Sequence, residues 1–200
     1  MTNPRLPLIA AVSIAALISA CQKPQEPAAN EMAAANDTSA MNEAAPGSAM
    51  QPAQLLDGAG KAMGQVEMSE DANGVTLKVT AAGLPAGTHG VHLHEKGMCE
   101  GPKFESAGAH WNPAGKQHGR DNPMGAHLGD LANMEAADGA EASSTYLVTG
   151  VTMGGTQNAL ADADGTSLVV HAKADDYKTD PSGNSGDRIA CAVIAPPMGG

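Results

Sequence analysis

Six of the seven histidines lie between His89 and His127, and the seventh, His171, closes a Val-Val run. Neutral imidazole is the commonest protein ligand for transition metals, so a cluster of this density points to metal chemistry. His92 and His94 stand two apart in an apolar run, which on a strand sends both rings to one face. Such a pair alone is weak, because surface His-x-His pairs also occur without metal. The stretch that follows adds His110, His118, His127 and Asp130. Three imidazoles and one carboxylate suit a closed tetrahedral zinc site, and all four come from one loop. A set of imidazoles alone, His92, His94 and His171 with one donor from the loop, suits copper in tetragonal geometry. Seven histidines are too few for two separate sets with spares. One loop imidazole must therefore serve both metals, one through each nitrogen, which is allowed once that ring is fully deprotonated.

The elements that position these groups read as strands. Short alternating runs, as in Met63–Met68 and Gly74–Thr80, have the period of two expected of half-buried strands. Gly87–His94, Leu128–Glu135, Ser143–Val151, Ser167–His171 and Ile189–Ile194 are further candidates, and no helical stripe of useful length competes. Four aromatic side chains, Phe104, Trp111, Tyr146 and Tyr177, against 24 glycines and 13 prolines also favour short strands and ample loops. Two irregular stretches, Glu95–His127 and Ala172–Asp187, are too long for simple connectors, and loops of that length in a small β domain carry function.

With 22 acidic and 11 basic side chains in 200 residues, the chain has no basic stripe that could neutralise phosphates, which excludes nucleic acid as a partner. Its start reads as an export signal over residues 1–20, with Arg5 ahead of the apolar run Leu8–Ala20. The run Leu17-Ile18-Ser19-Ala20-Cys21 resembles a bacterial lipobox, so Cys21 is expected to become a lipidated N-terminus facing the periplasm. An odd cysteine count in an oxidising compartment supports this, because giving Cys21 to lipid leaves Cys99 and Cys191 as a pair. Residues 21–52, rich in Ala, Pro, Glu, Asn and Met without apolar periodicity, read as a tether, and 53–200 as the folded domain.

Gly90-Val-His-Leu-His-Glu, Gly108-Ala-His-Trp-Asn-Pro, His118-Gly-Arg, Gly125-Ala-His-Leu-Gly-Asp-Leu, Val169-Val-His-Ala-Lys-Ala-Asp-Asp and Gly183-Asn-Ser-Gly-Asp-Arg-Ile-Ala-Cys resemble, in order, the signature blocks of copper/zinc superoxide dismutases. The resemblance covers about residues 53–195. It implies an all-β fold, a flattened eight-stranded Greek-key barrel of immunoglobulin-like sandwich type with two long functional loops. It implies copper on His92, His94, His110 and His171, and zinc on His110, His118, His127 and Asp130, with His110 shared. His89 matches a structural histidine, and Asp175 a carboxylate bonded to one histidine of each site. Cys99 and Cys191 match the family disulfide, and Arg188 the residue that holds the anionic substrate beside copper. The activity implied is conversion of two superoxides and two protons into oxygen and hydrogen peroxide by redox-cycling copper, with His110 lending and recovering a proton. A homodimer is left open. The second loop departs from animal members: it is shorter, Ser182 replaces a threonine, and Asp187 replaces a small neutral residue before Arg188. The rival readings are a non-enzymatic copper-binding or copper-delivery lipoprotein on the same fold, a zinc hydrolase and an adhesive envelope lipoprotein.

Overall fold

The computed structural model describes residues 48–198. The expected signal segment, Cys21 and the tether up to residue 47 lie outside them. Ten strands follow in order: β1 (Ser48–Ala49), β2 (Ala53–Asp57), β3 (Ala62–Asp71), β4 (Gly74–Ala81), β5 (Gly87–His89), β6 (Val91–His94), β7 (Met134–Ala136), β8 (Ala142–Thr149), β9 (Thr166–His171) and β10 (Arg188–Ala195). A single turn of 3₁₀-helix, Glu105–Ala107, is the only helical element among the described residues. The main sheet runs β6-β9-β10-β2-β3-β4-β8 with β1 added against β3, and β5 pairs with β7 apart from it. All strand pairings are antiparallel. This is the curled Greek-key architecture expected of the family.

Alternation along the strands builds the core. Leu55, Val66, Leu77, Val79, Val91, Leu93, Leu168 and Val170 are fully buried and pack together inside the curl. Because side chains alternate, the neighbours of these residues point the other way. On β6 those neighbours are His92 and His94, and on β9 they are Val169 and His171. The register places His92 opposite Val169 and His94 opposite Ser167. Phe104, Ala107 and Cys191 cover Val169 in a second, smaller apolar cluster. One pair of adjacent strands thus offers core on one face and imidazoles on the other.

Several boundaries differ from those expected. Gly87–His94 breaks at Gly90, whose N–H donates to Lys173 O at 2.8 Å while its carbonyl accepts from His171 N at 2.8 Å. These bonds bind it to the end of β9 and the loop beyond, and β5 turns off to pair with β7. Leu128–Glu135 is strand only from Met134. Upstream, the chain meets β6 through single bonds, Leu93 N to Gly129 O and Leu131 N to Val91 O. Gly129 is required there, because a Cβ would lie 2.6 Å from the Leu93 carbonyl oxygen. Strand β2 was not signalled by alternation, since Leu55 and Leu56 adjoin; pairing with β3 and β10 defines it. Pairing also begins at Ser48, ahead of Ala53.

Candidate metal centre

The loop from Glu95 to Asn133 folds back over the outer face of β6. Trp111 N donates to Leu93 O at 2.8 Å and Glu95 N to Ala109 O at 2.9 Å, which sets His110 beside His94. A second return of the same loop pairs Asp130 with His92. The second long loop, between β9 and β10, brings Asp175 underneath. His89, His92, His94, His110, His118, His127, His171 and Asp175 are all buried.

Ligand atoms of His92, His94, His110 and His171 lie within 4.8 Å of one another. In each ring one nitrogen is held and the other is free. His92 Nε2 donates to Asp175 Oδ2 at 2.8 Å, His94 Nδ1 to Gly108 O at 3.0 Å and His171 Nδ1 to Gly186 O at 3.2 Å, while His110 Nδ1 faces Asp130 Oδ1 at 3.0 Å. The opposite atoms, His92 Nδ1, His94 Nε2, His110 Nε2 and His171 Nε2, are buried without a hydrogen-bond partner. Burying unpaired polar atoms is costly, so a convergence of four is the signature of a ligand position. Carbonyl and carboxylate acceptors behind the rings fix their orientation and tautomer.

The second group centres on Asp130. Its Oδ1 lies 3.0 Å from His110 Nδ1, 3.0 Å from His118 Nδ1 and 3.1 Å from His127 Nδ1. By mutual distance alone, His92 also falls with His110, His118 and Asp130. Asp175 engages His92 Nε2, and His92 Nδ1 is buried without a partner; His127, outside that distance group, reaches Asp130 Oδ1 through Nδ1 at 3.1 Å. His92 and His110 fall in both distance groups, and His110 sets Nδ1 against Asp130 while its Nε2 is buried without a partner. Asp130 Oδ2 accepts the N–H groups of Gly119 and His127. Asp175 Oδ1 accepts from His118 Nε2 at 2.9 Å, so this carboxylate ties the His92 and His118 rings together.

Electrostatics follow from this packing. Burial lowers His110 to about 4 and His171 to about 3, and it holds His94 well below the ordinary histidine value, helped by the neighbouring His110 and Arg188. These rings are neutral and ready to ligate. His118 goes the other way: burial opposes its charge, but Asp130 and Asp175 raise it to about 9. The same contacts keep both carboxyls far below the usual carboxylate range, against their own desolvation.

Arg188 is half-buried and opposite His171 in the β9–β10 register. Its Nη1 donates to Phe104 O at 2.6 Å and its Nη2 to Gly108 O at 2.7 Å. Gly108 O thus accepts from both Arg188 and His94, an arrangement without a sequence signature because the acceptor is backbone. Arg188 and Asp187 line an open cleft with Lys103, Glu105 and Pro102. Cys99 and Cys191 are disulfide-bonded across 92 positions, with Cα atoms 5.7 Å apart. His89 Nδ1 lies 2.7 Å from His171 O and Nε2 2.8 Å from Pro85 O, leaving no nitrogen for a metal.

A curled antiparallel barrel that carries a buried four-imidazole group beside an imidazole-carboxylate group is the architecture of a metal-binding β protein. The family model for copper/zinc superoxide dismutase matches residues 62–194, and this chain belongs to that family. A superoxide dismutase [Cu-Zn] of Caulobacter vibrioides is 49% identical over 141 residues, covering 68% of this chain and 80% of the relative. Superoxide dismutase [Cu-Zn] 2 of Aquifex aeolicus is 44% identical over 144 residues, covering 71% and 84%. A crystal structure of a SOD-like protein from Bacillus subtilis superposes with a TM-score of 0.70 at 39% identity, covering 74% of this chain and all of the other. The Cu/Zn superoxide dismutase from Brucella abortus superposes at 0.58 with 29% identity, covering 72% and 98%. Copper and zinc are the family's metals, and the two donor sets described here are able to hold them.

Proposed function

We propose that this protein removes superoxide by dismutation at a copper position formed by His92, His94, His110 and His171, joined through the His110 ring to a zinc position formed by His110, His118, His127 and Asp130. The observation that carries this reading is the convergence of four buried, unpartnered imidazole nitrogens. Copper when bound supplies the one-electron couple and zinc a fixed positive charge. The chain does the rest. Arg188, held open by two carbonyls, presents its outward face to a small anion from the cleft. His110 Nε2 is the atom that takes up a proton and returns it to the reduced substrate, while Nδ1 stays fixed on the other set. The carbonyls of Gly108 and Gly186 keep His94 and His171 from turning.

The site of action we propose is the cell envelope, with lipid on Cys21 holding the domain at a membrane and facing the periplasm. The lipobox-like run and the pairing of the other two cysteines support this. Copper and zinc content measured together with superoxide removal on the purified protein tests the catalytic reading. Both metals bound with rapid removal is the expected result. Both metals bound without turnover would favour a copper-binding or copper-delivery protein, and zinc alone with hydrolysis would favour a hydrolase.

A further inference from the structure

We propose that Tyr177 is a positioning residue of the metal centre, locking the loop after β9 onto the loop after β6 and, through Asp175, setting the direction in which His118 presents Nδ1. The inference rests on reading His110, His118, His127 and Asp130 as the zinc set.

Tyr177 belongs to neither apolar cluster and is half-exposed, so packing does not account for it. Its backbone is left-handed, with φ 61°, a conformation that bulky residues adopt only where their surroundings over-determine it. Those surroundings are three chain segments that carry or support ligands. The Tyr177 N–H donates at 2.7 Å to Asp175 Oδ1, the oxygen that also accepts from His118 Nε2. The hydroxyl accepts the Asn133 N–H at 2.8 Å. Asn133, three residues after Asp130, bonds the Asp175 backbone both ways: Nδ2 donates to its carbonyl at 3.0 Å and Oδ1 accepts its N–H at 2.9 Å. The Tyr177 carbonyl accepts the Asp121 N–H at 3.0 Å, and the ring stacks under Arg120, whose Cζ is 3.9 Å from the ring centre. Gly119, next to His118, lies so close to that carbonyl that no Cβ fits between them. One residue therefore holds the chain immediately after His118, the chain after Asp130, and the carboxylate joining His118 to His92.

Two variants of the full, metal-loaded protein separate positioning from mere packing. Tyr177→Phe keeps the ring over Arg120 and loses only the hydroxyl. Tyr177→Gly adopts the left-handed backbone without strain and keeps both main-chain bonds, but loses ring and hydroxyl. Zinc release to a chromogenic chelator, the visible spectrum with cobalt(II) in the zinc position, and the melting temperature are measured on each, with Asp130→Ala as control. Zinc is expected to leave Tyr177→Phe several-fold faster than the parent and Tyr177→Gly at least tenfold faster, with an altered cobalt spectrum in the latter. Parent-like zinc release and cobalt spectrum in Tyr177→Gly, even with a lower melting temperature, would overturn the inference. A parent that holds no zinc more tightly than Asp130→Ala would instead bring down the reading of the zinc set, and the inference with it.

Discussion

At the scale of single residues, Asp130 and Asp175 divide the work of the centre between them. On the proposed reading Asp130 is a donor within one set, so Asp130→Ala, like His118→Ala, is expected to lose zinc while copper binding survives; metal analysis of dialysed protein checks this, and unchanged zinc in both variants would remove the assignment. Asp175 stands behind a ring of each set. Asp175→Ala leaves His92 Nε2 and His118 Nε2 buried without acceptors, a cost of about 1–3 kcal/mol for each, and should loosen both metals together. Loss at one position alone would contradict the bridging role. The metal-free protein carries a pH signature of its own. His110 and His171 are depressed to about 4 and about 3, so below the unfolded value near 6.5 the unfolded chain binds the extra protons and stability falls as pH drops toward that range. His118 is raised to about 9, so its ion pairs are fully present below about 6.5 and are lost as pH rises through about 9. A melting series from pH 3 to 10 on metal-free protein should peak between these limits; a curve still rising above pH 9 would contradict the His118 contacts.

At the scale of elements, the disulfide joins the loop that carries Phe104 and Gly108 to the strand that carries Arg188. Closing a loop of this length is worth about 4–5 kcal/mol on the chain-entropy model. A Cys99→Ser, Cys191→Ser double variant should melt roughly 10–15 °C lower. It should also lose activity in parallel, because the two carbonyls behind the guanidinium are no longer tied to β10. Full activity with the lowered melting point would show that the loop holds Arg188 unaided. That the histidines and Asp130 would come together was legible from sequence because imidazoles are few and cluster, and because family blocks fix their order. The strands β3, β4, β8, β9 and β10 were legible from alternation. What could not be read were the features set by backbone: the break at Gly90, the single-bond approach of residues 129–131 to β6, and the carbonyls of Gly108 and Gly186 behind the rings. Tyr177 gave no signal either, since its role depends on a left-handed turn that brings residues 120, 133 and 175 to one place.

At the scale of the whole molecule, residues 53–200 carry nine basic and eighteen acidic side chains, a formal −9 that two divalent metals and one lost histidine proton reduce to about −6. A monoanion is therefore repelled at distance, and on the proposed reading attraction is local to Arg188 and the copper position. The cleft itself is mixed, with Lys103 and Arg188 against Glu105 and Asp187. Since salt screens beyond about 8 Å at physiological strength, the rate should depend weakly on ionic strength. Asp187→Ser should raise the low-salt rate and Arg188→Ala lower it strongly, measured as second-order rates across a salt series; a steep fall with salt in the parent would mean that other basic groups steer. The two-faced strand β6 has one more consequence. Val91 and Leu93 fill the barrel while His92 and His94 face the centre, so a slip of one residue would drive imidazoles into the apolar interior and aliphatic side chains among the ligands. Core and centre thus share a single reading frame, and captured metal certifies that the strand has found it. A misregistered molecule, unable to hold the ions, forgoes the stabilisation that binding confers and is the one left open to proteolysis.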